Sequence, residues 1–200
     1  MADLILVGGT FNPITNAHIE LGETAKRRFP NACVTYVPSR LSYVSGFKEI
    51  TDNPVFSDEN RLKCIKLALD STDFHLNLSE ALGFLTGTTF DTVNYFKKLG
   101  YKDICITIGT DKVNELLKWH RYQELLSMVK IIMFNRYGQS FDEVACDEIK
   151  AYKDRFIFEN ISPQNEEISS SQIRELYKEK RLPEIRSLVP AKVYEFLSSL

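Results

Sequence analysis

The sequence has little of what a membrane or disulfide-built protein needs. No apolar run approaches the ~20 residues of a membrane span. The opening MADLILVGGT carries an acid where a secretion signal would be basic, and its apolar run is short. The expectation is a cytoplasmic protein without a leader. The four cysteines, Cys33, Cys64, Cys105 and Cys146, are far apart and form no CxxC pair. That leaves zinc unsupported and points to reduced, partly buried thiols. Neither charge dominates: Lys and Arg number 25 against 27 Asp and Glu, for a net charge of -2. Such a balance argues against a broad basic surface for nucleic acid. Repeats and low-complexity linkers are absent. So are the dinucleotide fingerprint GxGxxG and a phosphate loop ending in GK[ST].

What is there is ordinary globular material. Hydrophobic residues make up 44% and charged ones 26% of 200 residues, which excludes disorder, collagen and coiled coil. The length suits a single domain over 1–200, able to bury roughly 70% of its unfolded surface, with a helical C-terminal segment from about 163 packed on it.

Short apolar runs alternate with amphipathic stretches. LILVGG (4–9), CVTYVP (33–38), FHLNLS (74–79), DICITIG (103–109), KIIMFNR (130–136) and FIFENIS (156–162) read as strands. Helical spacing covers 17–29, 57–70, 91–99, 111–127 and, more weakly, 142–153. The tail is helical from Ser171, broken at Pro183 and Pro190. The order implies an α/β, Rossmann-like, doubly wound and mainly parallel sheet with helices on both faces. Ligands then bind beyond the carboxyl ends of the strands, after Gly9, Val37, Leu78, Ile108 and Asn160.

Strand one ends in Gly8-Gly9-Thr10-Phe11-Asn12-Pro13-Ile14-Thr15-Asn16-Ala17-His18. The glycines let the backbone turn sharply and approach a ligand. The helix that follows offers free N–H groups to an anion, with His18 in its first turn as a further donor. Taken alone, His18 is equally readable as a surface histidine after an ordinary turn. Near the other end, Ile168-Ser169-Ser170-Ser171-Gln172-Ile173-Arg174 opens a helix with a serine cap. Arg174 falls in the first turn, where a cation opposes the helix dipole and a bound anion would relieve it. Between them, Gly109-Thr110-Asp111 closes a buried strand and places an acid where a ribose hydroxyl could be held. Trp119, the single tryptophan, suits either ring stacking or core packing.

Together these segments resemble the nucleotidyltransferases that carry (H/T)xGH and ISSTxIR, and more narrowly the nicotinate (or nicotinamide) mononucleotide adenylyltransferases. Lys48 in SGFK stands where that family has PPHK, and Asn60-Arg61-Leu62-Lys63 opens a helix where it has a similar arginine. Thr89-Phe90-Asp91-Thr92 is similar to its TxDT, and GTDKVNELLKWHRYQELL to its GxDxxxxLxxWxxxxxLL. The likeness runs from residue 4 to about 199. The departures are Ala17 for the glycine of xGH, Asn12 for an aspartate, Phe47 for the histidine before the lysine, and Thr88 for a tyrosine.

The resemblance implies transfer of AMP from ATP, with Mg²⁺, to a pyridine mononucleotide. It assigns Gly9, Thr10, Phe11, Thr15 and His18 to the ATP phosphates, closed over by Ser170, Ser171 and Arg174, and Gly109 and Asp111 to the adenosine. Thr89 and Trp119 fall to the pyridine ring, Lys48 to the transferring phosphate and Arg136 to the mononucleotide side. His18, Lys48 and Arg174 are the catalytic set. Two rival functions remain: another nucleotidyltransferase, acting on pantetheine phosphate or forming a cytidylyl product, and an ATP-binding regulatory module without turnover. The segment 39–56 is readable as a fixed wall or as a lid.

Overall fold

A computed structural model of the chain describes residues 2–43, 53–135 and 138–200. Six strands form one sheet: β1 (Leu4–Gly9), β2 (Cys33–Pro38), β3 (His75–Leu76), β4 (Ile104–Gly109), β5 (Lys130–Asn135) and β6 (Phe156–Asn160). Their order is β3-β2-β1-β4-β5-β6, and every pairing is parallel. This is the doubly wound arrangement expected from the sequence. The chain leaves β1 toward β2 on one side and returns to β4 on the other. The carboxyl ends of β1 and β4 therefore part at the switch point, where a crevice must open.

Alternation along β1 divides the core. Ile5 and Val7 face one layer, with Cys64, Ile65 and Leu69 of helix Asp58–Leu69 and with Ile173, Val193 and Leu197 from the C-terminal helices. Leu4 and Leu6 face the other, with Val93 and Phe96 of helix Thr89–Lys98 and with Leu116, Leu125 and Leu126. Both faces of the strands are covered, which is why they read as near-continuous apolar runs rather than alternating ones.

Several boundaries depart from the sequence reading, each for a local reason. The third strand is only His75–Leu76, because the Asn77 side chain accepts from the Ser79 N–H at 3.0 Å and turns the chain away. The stretch 142–153 is two four-residue helices, Phe141–Val144 and Asp147–Lys150. Asn114 holds the break open, accepting from the Cys146 N–H at 2.9 Å and donating to the Val144 carbonyl at 2.8 Å. The stretch 111–127 is a 3₁₀ helix, Thr110–Lys118, and an α-helix, Tyr122–Met128, separated at Arg121, whose φ is +54°. The 3₁₀ form matches its pattern: Thr110, Val113 and Leu116 are buried at intervals of three, the period at which 3₁₀ side chains eclipse. Trp119 comes three residues later and extends that face toward the crevice.

Candidate active site

A cavity of about 450 Å³ opens at the switch point. Gly8, Gly9 and Thr10 from the end of β1, His18 from the first helix, Gly109 and Asp111 after β4, and Thr89 and Trp119 from the far wall all line it.

The loop after β1 is held rigidly. Phe11 has φ of +51° and is buried, and the Asn12–Pro13 peptide is cis. Gly9 admits the Phe11 ring, which would come within 2.7 Å of a Cβ placed there. Helix Asn16–Arg28 is capped by Thr15, whose Oγ1 accepts the His18 N–H at 3.3 Å. In return His18 Nδ1 accepts the Thr15 N–H at 3.1 Å, and it lies 2.8 Å from the Thr15 hydroxyl. That is a capping box with an imidazole where a Glu or Gln usually stands. It fixes the neutral tautomer, because a ring that accepts at Nδ1 carries its proton on Nε2. Phe11 meets the ring edge-on at 5.0 Å and pins its plane. His18 thus lines the cavity as an oriented hydrogen-bond donor.

The sequence reading expected several free N–H groups at this helix start. The structure reserves two of them. The Asn16 N–H donates to the Leu188 carbonyl at 2.9 Å, and the His18 N–H to Thr15. An anion there would rely more on the imidazole and the Gly9–Thr10 turn than on the helix end.

The closing motif reaches the loop rather than the cavity. Ser170 Oγ donates to the Pro13 carbonyl at 2.8 Å, and Arg174 Nη1 to the Asn12 carbonyl at 2.7 Å. Arg174 Nη2 donates to Ser171 Oγ at 2.9 Å. Arg174 is the fifth residue of helix Ser170–Lys178, not part of its first turn, so the dipole conflict inferred from sequence is weaker than expected. Partial burial pulls its pKa down from the usual arginine range. Asn12 also explains itself: its Nδ2 donates to the Phe56 carbonyl at 2.9 Å, a bond an aspartate could not make, while among the described residues its buried Oδ1 meets no donor.

Among the described residues, Arg61 has the largest fully buried side chain. Its Nη1 donates to the Thr10 carbonyl at 2.7 Å and the Ser39 carbonyl at 3.0 Å, joining the loops after β1 and β2. Nε donates to Asp58 Oδ1 at 2.8 Å, and Nη2 lies 2.6 Å from the same oxygen without hydrogen-bond alignment. Burial lowers the guanidinium pKa and the Asp58 bond opposes that shift. Tyr36 braces the site from below, donating to the His18 carbonyl at 2.9 Å and the Ile19 carbonyl at 3.3 Å. Burial raises the pKa of its phenol, which stays a donor.

On the far wall Asp91 orders the turn before helix Thr89–Lys98. It accepts from the Thr86 hydroxyl and, at 3.0 Å, from the Thr88 hydroxyl, and these bonds, Thr86 first, lower its pKa. Asp91 is therefore the anchor that presents Thr89 to the cavity. After β4, a Cβ on Gly109 would meet Asp111 Oδ1 at 2.5 Å. Gly109→Ala should rotate the carboxylate aside and leave the fold intact. The expected result is an unchanged melting temperature, checked by calorimetry, with the cavity wall altered only where Asp111 stands.

Of the residues singled out from sequence, Gly9, Thr10, His18, Thr89, Gly109, Asp111 and Trp119 meet around one cavity. Phe11 and Thr15 stand behind it, Ser170 and Arg174 hold its loop, and Ser171 accepts from Arg174. Lys48 and Arg136, with Phe47, lie outside the described residues. Sequence reasoning gave no role to Tyr36 or Glu80. Glu80 lies just past Leu78, at a strand end already marked as a place to look, but one acid in a loop carries no pattern.

A parallel sheet of this order, a cavity at its switch point and a histidine-bearing cap beneath it define a nucleotide-binding α/β protein of the nucleotidyltransferase type. The chain belongs to the cytidylyltransferase-like family, which matches residues 6–176, in its nicotinate-nucleotide adenylyltransferase branch. A Carboxydothermus hydrogenoformans protein described as a "probable nicotinate-nucleotide adenylyltransferase" is 30% identical, over 98% of this chain and 95% of its own length. One from Clostridium tetani with the same description is 26% identical, over 96% of this chain and 94% of its own length. Among solved structures, the Plasmodium falciparum nicotinic acid mononucleotide adenylyltransferase complexed with NaAD matches with a TM-score of 0.75. Its sequence identity is 18%, covering 100% of this chain and 96% of that one. At that identity the likeness speaks for the fold.

Proposed function

We propose that the protein transfers AMP from Mg-ATP to a pyridine mononucleotide, nicotinate mononucleotide before nicotinamide mononucleotide, releasing pyrophosphate and forming the dinucleotide used in NAD biosynthesis. The observation that carries this is the imidazole locked by Thr15 into its Nε2-protonated form at the wall of the cavity.

The acceptor phosphate attacks the α-phosphorus in line and pyrophosphate leaves. That phosphate is ionised near neutral pH and needs no strong base, so catalysis rests on positioning and on stabilising phosphoryl oxygens. His18 donates to an α- or β-phosphate oxygen. The Gly9–Thr10 backbone cradles the phosphates, and Ser170 and Arg174 fix the loop that carries them. Lys48 and Arg136 add positive charge on the acceptor side. Asp111 holds the adenosine ribose, and Thr89 with Trp119 holds the pyridine. Mg²⁺ would arrive with ATP as part of the substrate and would supply positive charge against the phosphates.

A cytoplasmic setting is part of this reading, in keeping with Cys33, Cys64, Cys105 and Cys146 as free thiols. Burial pushes the Cys64 thiol up to about 12 and Cys105 to about 11, so both are inert core groups.

The test is pyrophosphate release from Mg-ATP with nicotinate mononucleotide, nicotinamide mononucleotide or phosphopantetheine as acceptor. Turnover with a pyridine mononucleotide is expected, and turnover with phosphopantetheine alone would refute the assignment of Thr89 and Trp119. Binding of ATP without turnover on any acceptor would instead favour the regulatory module. Trp119→Ala should raise the mononucleotide KM about tenfold, in line with ~1–3 kcal/mol for aromatic stacking, and leave the ATP KM unchanged. A lower melting temperature with unaltered KM would mark Trp119 as core packing.

A further inference from the structure

Glu80 is 7% exposed, yet it lines the cavity. A buried acid is costly unless something compensates it. Its one side-chain hydrogen bond comes from the Thr92 hydroxyl, and among the described residues no ion pair with it is found. Burial raises its pKa and the Thr92 bond opposes that rise.

Its position in the cavity is set by that bond. Thr92 follows Thr89 by three residues on helix Thr89–Lys98, so both lie on one face of the helix. That places Glu80 at the end of the cavity lined by Thr89, while Thr10 and His18 line the phosphate end. The carboxylate can act there on the ring. An N-ribosylated pyridine is a cation whether its substituent is an acid or an amide.

We propose that Glu80 is a specificity-determining residue: its carboxylate supplies the counter-charge for the pyridinium ring and makes the site select the oxidised mononucleotide, whose ring is a cation, over its 1,4-dihydro form, whose ring is neutral. The inference rests on the proposed pyridine mononucleotide acceptor and adds the property by which the ring is read. Thr92 orients the carboxylate, and Thr89 and Trp119 supply shape, which the two forms largely share. The charge of the ring is what distinguishes them.

The test compares the oxidised and dithionite-reduced forms of the same mononucleotide as acceptors, with Mg-ATP saturating. Wild-type protein should prefer the oxidised form by on the order of tenfold or more in kcat/KM, a size set by one charge pair at an effective dielectric near 20, and the difference should appear in KM. Glu80→Gln should bring the ratio close to one without changing the KM for ATP, and Glu80→Asp, which keeps the charge, should retain the preference. Equal use of the two forms by wild-type protein would overturn the proposal, whether or not Glu80→Gln folds. So would a preference that survives in folded Glu80→Gln. A failure of the acceptor assignment itself looks different, since the oxidised form would then not turn over at all.

Discussion

Replacing His18 with alanine should lower kcat by about two to three orders of magnitude, the usual cost of losing one preorganised donor to a developing oxyanion. Stability should fall by only ~1 kcal/mol, because the variant loses half of a capping box while Thr15 still accepts from the helix. The double role of His18 provides a sharper control. Glutamate is the usual residue at this position of a capping box, so His18→Glu should melt near the wild-type temperature. It presents a carboxylate to the phosphates in place of an N–H, and should be at least as inactive as the alanine variant. Folded His18→Ala with a near-normal rate would remove the donor role.

The second large effect is on the scaffold. Arg61→Met keeps much of the side-chain volume but strips the Thr10 and Ser39 carbonyls of their shared donor. Breaking one partner of a buried charged arrangement costs about 3–5 kcal/mol. At this chain length that corresponds to a melting temperature lower by roughly 6–20 °C. Asp58 is half exposed and can return to water, so the loss belongs mainly to the loop carbonyls. Because Thr10 lines the cavity, the KM for ATP should rise in the same variant even at temperatures where it is folded. Melting within about 2 °C of wild type, well inside the effect expected, would show that water replaces the guanidinium without penalty.

Much of the architecture was legible in the sequence because buried parallel strands declare themselves as apolar runs. β1, β2, β4, β5 and β6 fall within a residue or two of their expected bounds, and the cavity lies where the switch-point rule puts it. What escaped depends on single side chains bonding to distant backbone. Asn77 shortens β3, and Asn114 splits a helix by reaching across 30 residues to Val144 and 32 to Cys146. Neither has a periodic signature. The 3₁₀ helix was recoverable in principle from burial at 110, 113 and 116, a period of three that a search at 3.6 blurs.

For the site, the sequence identified residues more readily than it resolved what each one touches. His18 was expected to meet an anion, but its bond back to Thr15, which sets the tautomer, follows from cap geometry. Ser170 and Arg174 were expected over the triphosphate, and they reach the carbonyls of Pro13 and Asn12. Arg61 entered through a family likeness, whereas its function as a clamp requires the positions of two carbonyls from separate loops.

The most direct measurement follows the label of ATP during turnover with nicotinate mononucleotide. With the α-phosphate radiolabelled, the label should appear in the dinucleotide, and with the γ-phosphate labelled it should appear only in pyrophosphate. Label from the γ position in the acceptor would mean phosphoryl transfer rather than adenylyl transfer, and would contradict the proposal that His18 faces the α-phosphorus.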